Sequence, residues 1–289
     1  MAIDLDLVGR RHDSGPISWS SSHALLYALG VGAGALDAHD ELAFTTENSH
    51  GTPQRVLPTF AVVLGMHGVA GETVSPVQGA PEIPLAQILH GEQSVTLHGA
   101  LPVSGTATST GVIAAVRDTG RHAVIESVGE LRDTVTGDLL AEVGSSMIVR
   151  GEGGFGGSPV TAPPWQLPQR PPDAGASYPT RPDQALLYRL SGDRNPLHSD
   201  PWFARSAGLE QPILHGLCTY GFAGRALLHG VCGADPDRFG TMSARFTSMV
   251  VPGETLDIAV WRTADGAVFR ASVGDRVVLD RGTFRLRTP

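Results

Sequence analysis

Between Tyr188 and Pro201 the chain reads Tyr-Arg-Leu-Ser-Gly-Asp-Arg-Asn-Pro-Leu-His-Ser-Asp-Pro. Within it, Asp193, Asn195 and His198 bring a carboxylate, an amide and an imidazole together inside six residues. A carboxylate and an imidazole on one reactant can take a proton from one atom and return a proton to another, as adding or removing water requires. Gly192 and Pro196 forbid a continuous helix through the segment, so several of its side chains can turn toward one point. No other region of the 289-residue chain concentrates acid-base groups in this way.

Such a cluster needs a scaffold. Downstream, Ile213 to Val231 carries Leu214, Leu217, Phe222, Leu227, Leu228 and Val231 with small residues between them, which predicts a helix apolar on most faces and therefore buried. Its glycines would let a sheet approach closely. Thr241 to Val250, Thr255 to Thr263, Ala267 to Val273 and Arg276 to Arg287 read as strands, separated by turns at Pro252-Gly253, Ala264-Asp265-Gly266 and Gly274-Asp275. The order describes an antiparallel sheet around one central helix. The first half repeats it less clearly, with a helix expected over Pro58 to Val69 and strands from Gln93 to Arg150.

The division falls at residues 151–182. Five of the seven residues from Gly151 to Gly157 are glycine, and eight prolines follow by Pro182, which is linker composition. On either side the halves resemble each other: Ala24-Leu25-Leu26-Tyr27-Ala28-Leu29 matches Ala185-Leu186-Leu187-Tyr188-Arg189-Leu190. A duplicated unit is expected, residues 1–150 and 183–289, joined by the linker.

Composition sets outer limits. With 41% apolar and 17% charged residues the chain reads as globular. Its N-terminus has no apolar run of signal-peptide length and no stretch approaches a membrane span, so a cytoplasmic location without a membrane span is the expectation. A net charge of −8 and the lack of a basic cluster with aromatics argue against a nucleic-acid partner. Local arginines such as Arg194, Arg225 and Arg245 could still hold the phosphates of a small anion. Cys218 and Cys232 are the only cysteines and read as reduced packing residues, and the histidines show no metal-ligand spacing, so no metal is expected.

The run from Tyr188 to Pro201, followed by Pro212-Ile213-Leu214-His215-Gly216-Leu217-Cys218-Thr219, closely resembles the hydratase 2 motif of MaoC-like (R)-specific 2-enoyl-CoA hydratases. The two-halved layout looks like the eukaryote-type double hot dog members, so the resemblance implies an α+β double hot dog fold across nearly the whole chain. It implies that Asp193 and His198 hold the water that adds to an enoyl thioester, that Asn195 joins their cluster within Arg194-Asn195-Pro196-Leu197, and that the backbone N–H of Gly216 meets the thioester oxygen. Ligand contact is implied at His90-Gly91 and at Phe246. The position where a relative carries a CoA-contacting lysine falls on Thr119, a departure that nearby Arg121 could offset. The implied substrate is an acyl-CoA thioester, with no separate cofactor and with a homodimer as the assembly.

The first repeat has no Asp-x-Asn-Pro-x-His after Leu29, so one site per chain is expected, with the N-terminal half shaping the acyl tunnel and Ala35 to Leu57 giving room for a bulky chain. Taken singly, Asp193 and Asn195-Pro196 are ordinary turn residues and Phe246 an ordinary strand aromatic. His215 reads as structural, and His90 is as well explained by strand-edge hydrogen bonding as by ligand contact. Two other classes compete with the hydratase: a hot dog thioesterase, and a noncatalytic acyl-thioester binding protein.

Overall fold

The computed structural model describes residues 5–66, 87–156 and 164–288. In the first half, short strands β1 (Arg11–Asp13) and β2 (Ile17–Trp19) precede helices α1 (Ser21–Gly30), α2 (Leu42–Thr45) and α3 (Phe60–Met66). Four long strands follow, β3 (Ile88–Leu97), β4 (Gly105–Asp118), β5 (His122–Asp133) and β6 (Leu139–Arg150). The second half repeats the order with β7 (Ala174–Pro179), α4 (Gln184–Tyr188), α5 (Pro201–Ser206), α6 (Gly216–Gly230), β8 (Phe239–Phe246), β9 (Thr255–Arg262), β10 (Gly266–Val273) and β11 (Arg276–Leu286).

All eleven strands join one antiparallel sheet in the order β1-β4-β5-β6-β3-β8-β11-β10-β9-β7, with β2 also on β4. The order is symmetric about its centre. Outward from β3 run β6, β5 and β4, and outward from β8 run β11, β10 and β9, so the two halves meet where β3 pairs β8 through Gln93↔Ala244 and Val95↔Met242. Helix α3 packs on β3, β5 and β6, and α6 on β7, β8, β9 and β11. This is the double hot dog, two helices each wrapped by half of a common sheet.

Helix α6 is buried along Leu217 to Leu228 because its sequence is apolar or small on every face. Burial of Leu217, Phe222, Leu227 and Leu228 contributes about 1.5–3 kcal/mol each. The expected close approach of a sheet holds at the helix ends, where Gly216 faces Phe246 of β8 and Gly230 faces Ala174 of β7, but not at the two central glycines. A Cβ at Gly221 would lie 2.5 Å from a Val31 methyl and 2.9 Å from the Tyr27 hydroxyl, and one at Gly224 would lie 2.5 Å from a Thr59 methyl. These two glycines therefore admit the helical layer of the N-terminal half. The repeated Ala-Leu-Leu-Tyr segments meet there too: Gly30 abuts the Tyr188 backbone, and the Tyr27 and Tyr188 rings lie 6.1 Å apart.

Three further expectations are corrected. The stretch 151–182 is not linker throughout, since β7 within it pairs β9 and closes that end of the sheet; its alternation of small residues suits an edge strand better than its proline content suggested. The central helix begins at Gly216 and not at Ile213, because Ile213 and Leu214 are held extended by hydrogen bonds to the Leu197 and Val250 carbonyls. In the first half α3 is described from Phe60 to Met66, and the rest of the helix expected to Val69 lies outside the described residues. Strand β3 starts at Ile88, which places His90 and Gly91 inside the sheet.

Candidate active site

The Tyr188 to Pro201 segment is shaped by its own side chains. After α4 a short 3-10 turn, Arg189–Ser191, ends at Gly192, whose φ of +132° reverses the chain as few other residues could. The Asp193 carboxylate accepts a hydrogen bond from the Asn195 N–H at 3.0 Å, and the Asn195 side chain accepts one from the Leu197 N–H at 3.0 Å. Asn195 thereby caps a second 3-10 turn, Pro196–His198, whose first position proline suits. Local polar turns thus carry the chain from Asp193 to His198 and aim the imidazole inward.

His198 is buried, and its Nδ1 lies 2.9 Å from the Ile213 carbonyl oxygen. A carbonyl only accepts, so Nδ1 carries the proton and the neutral ring keeps its lone pair on Nε2. Burial lowers the His198 pKa from its ordinary value of 6.5, outweighing the opposing pull of the Asp193 charge and the Ile213 bond. The ring is therefore a neutral base at neutral pH. Extended Ile213, the residue that sequence reading assigned to the helix, is what supplies the carbonyl.

His215 completes the group. It is 1% exposed, its Nε2 lies 3.2 Å from the Asp193 backbone oxygen, and its ring stacks on His198 at 3.7 Å between centroids and 28° between planes. The Tyr188 ring packs on it at 4.9 Å. Ligand-type atoms of Asp193, His198 and His215 all fall within 4.8 Å of one another. One nitrogen of each imidazole is already engaged, His198 Nδ1 with the Ile213 carbonyl and His215 Nε2 with the Asp193 carbonyl.

Next to His215, Gly216 opens α6 and turns the first N–H groups of a 15-residue helix toward the site. A Cβ there would sit 3.1 Å from the Phe246 ring, and His90 packs on the same ring at 4.7 Å between centroids. Gly91 marks a register shift between β3 and β6, where a Cβ would approach the Ser146 hydroxyl to 2.9 Å. Asp193, His198, His215, Gly216, Phe246 and His90 thus form one contiguous group across the β3–β8 seam.

Other sequence-predicted residues stand apart from it. Thr119 is exposed in the β4–β5 turn, where its hydroxyl bonds the His122 backbone, and Arg121 is exposed beside it. Arg194 is exposed, while Pro196 and Leu197 are half-buried in the 3-10 turn. Two of the arginines considered for phosphates are already engaged: Arg225 is buried in an ion pair with Glu41, and Arg245 pairs with Glu92. The contribution of His215 was missed by sequence reading; its place directly before Gly216 was the available signal.

Comparison with known proteins places the chain in a family. Residues 165–281 match the MaoC like domain, and residues 18–151 match the MFE-2 hydratase 2 N-terminal domain. The chain is 46% identical to 3-hydroxyacyl-thioester dehydratase Y of Mycobacterium tuberculosis, with 98% of each chain covered. It belongs to the MaoC-like hydratase 2 family. A second relative in the family, the peroxisomal enoyl-CoA hydratase 2 of Arabidopsis thaliana, is 36% identical over 90% of this chain and 87% of its own. Among solved structures, a MaoC-like dehydratase from Phytophthora capsici superposes with a TM-score of 0.87 at 33% identity, covering 99% of this chain and 98% of that one. This member of the family therefore carries both repeats over the length that its two-repeat relatives share.

Proposed function

We propose that the protein is a hydro-lyase that adds water to trans-2-enoyl-CoA to give (3R)-3-hydroxyacyl-CoA, and catalyses the reverse dehydration, in fatty acid metabolism. The observation that carries this reading is the Asp193, His198 and His215 group placed at the N-terminus of α6. Water bound between the Asp193 carboxylate and His198 Nε2 gives a proton to that pair as its oxygen bonds to C3. The electron pair of the C2=C3 bond moves toward the thioester, and C2 then takes a proton from the pair, which returns to its starting protonation, so one H and one OH are added in total. Negative charge gathering on the thioester oxygen meets the N–H of Gly216 at the positive end of the helix. The Phe246 ring, itself against His90, takes the place of a Gly216 side chain, so the thioester meets the helix through the Gly216 N–H. Asn195 acts by fixing the Asp193 and His198 turns. These steps need only proton transfers and backbone donors, which supports a reaction without metal or separate cofactor.

In this reading residues 1–150 supply the wall for the acyl chain and the one reactive group lies in the C-terminal repeat. The anionic chain favours a free CoA thioester over an equally acidic carrier protein, and a homodimer is the proposed assembly. The test is to incubate the protein with trans-2-enoyl-CoAs of short, medium and long chain and resolve the 3-hydroxyacyl products by chirality, with Asp193→Asn and His198→Ala alongside. The expected result is (3R) product, reduced at least ~100-fold in both variants. Release of free CoA without hydroxyacyl product would replace this reading with a thioesterase.

A further inference from the structure

The structure assigns His215 a positioning role in hydration: its single imidazole ties the backbone of Asp193, the ring of His198 and the start of the oxyanion helix into one unit. The inference rests on the Asp193 and His198 reading above and adds a residue to it. Three observations converge. His215 Nε2 faces the Asp193 carbonyl at 3.2 Å, so the N–H it donates holds the residue that carries the carboxylate. Its ring lies flat on His198 at 3.7 Å, which stops the His198 ring from tilting about its Nδ1 bond to Ile213. It also immediately precedes Gly216, with His215 itself the N-cap and its carbonyl accepting from the Cys218 and Thr219 N–H groups. One side chain thus joins the Asp193–His198 turns to the start of α6, beside the two backbone links through Ile213.

The bond to Asp193 fixes which ring nitrogen carries the proton. With Nε2–H donated to a carbonyl, neutral His215 has no proton on Nδ1, and a second charge stacked at 3.7 Å from His198 is strongly disfavoured when either ring is protonated. The ionisable groups packed around the pair are Asp193 on the turn, Tyr188 on α4 against the His215 ring, and His90 on β3 behind Phe246. Burial raises the Tyr188 phenol well above its ordinary range, so it stays neutral there. By covering the His198 ring, His215 thereby helps keep it dry as well as in place.

The two contacts can be removed separately. Phe at 215 retains a flat ring against His198 and loses the bond to Asp193; Asn at 215 can retain the bond and loses the stack. For folded His215→Phe we expect kcat to fall ~10-fold or more with KM within about threefold, because the dyad is misaligned and not the substrate. For folded His215→Asn we expect the acid limb of the kcat-pH profile to move to higher pH by about half a unit or more, as His198 gains hydration. Wild-type kcat and an unmoved acid limb in both variants would overturn the proposal. If the variants do not fold, nitrogen NMR of the His215 ring in the wild-type protein decides: an Nε2–H tautomer that persists across the active pH range is expected, and an Nδ1–H tautomer overturns it. Asp193→Asn and His198→Ala are read in parallel; activity surviving in those two would instead remove the dyad reading on which the inference stands.

Discussion

A buried imidazole beside a carboxylate sits between opposing effects, and at His198 burial prevails over the Asp193 charge. The sign has two consequences. If the neutral ring takes the proton from water, activity persists below the ordinary imidazole value of 6.5 and falls only as pH drops through the lowered folded value. Stability follows the same direction, because the unfolded chain binds the proton more readily: it declines as pH falls below the unfolded value. A kcat-pH profile with its acid limb below 6.5 is the expected outcome, and a limb at or above that value counts against a neutral buried His198. At this scale the sequence was informative for Asp193, Asn195 and His198, since they lie in one short run whose turns they cap themselves. For His215 it gave only a structural reading, because a histidine 17 residues after His198 has no sequence-local relation to it; the stack forms where Ile213 and Leu214 stay outside the helix.

The elements are joined by a contact that no local pattern announced. Glu41, in the stretch expected to give room for a bulky acyl chain, has a left-handed backbone with φ +61° and is held by Arg225 and His229 of α6 and by the Gly34 N–H. Burial opposes its ionisation, yet the His229 and Arg225 hydrogen bonds prevail and bring its pKa down to about 2. Arg225 also donates to the Val31 carbonyl at 2.9 Å and lies over the Tyr178 ring at 4.5 Å. The pair therefore fastens the segment after α1 onto α6, and Phe44, Val56 and Leu57 are buried in that stretch while residues 35–40 stay exposed. Glu41→Gln leaves the Arg225 charge buried without its counter-charge, so urea unfolding should show a loss of about 3–5 kcal/mol. A loss within experimental error would mean that the pair does not fasten the two halves. Because the Glu41 pKa is depressed, its stabilisation holds above the unfolded carboxylate value and is lost only as pH falls toward about 2.

For the whole molecule, the repeats share one sheet and one principal core, in which Tyr27, Phe60, Tyr188 and Phe222 belong to the same cluster. Separating them would strip β8 of its β3 partner and expose the Gly221 and Gly224 face of α6 to water. Residues 165–288 expressed alone should therefore aggregate or elute expanded in gel filtration and show no hydration, although they contain Asp193, His198 and Gly216. A monomeric, compact and active fragment would contradict the shared-core description. The same interdependence explains why a reactive group confined to the second repeat still draws His90 from the first, across the β3–β8 seam.

Taken by itself, the amino-acid sequence determined the features that depend on neighbours along the chain. These are the polar turns from Gly192 to His198, the apolar all-round helix, the strands with their turn residues, the duplicated Ala-Leu-Leu-Tyr segment and the family resemblance they carry. Tertiary structure alone decided what depends on packing between distant segments. It placed β7 in the sheet instead of a linker, turned Gly221 and Gly224 of α6 toward the N-terminal half, engaged Arg225 and Arg245 with carboxylates, and set His215 against both Asp193 and His198. The physical reason is range. Turn chemistry and hydrophobic periodicity act over a few residues, whereas burial, ion pairing and ring stacking are set by which surfaces the shared sheet brings together.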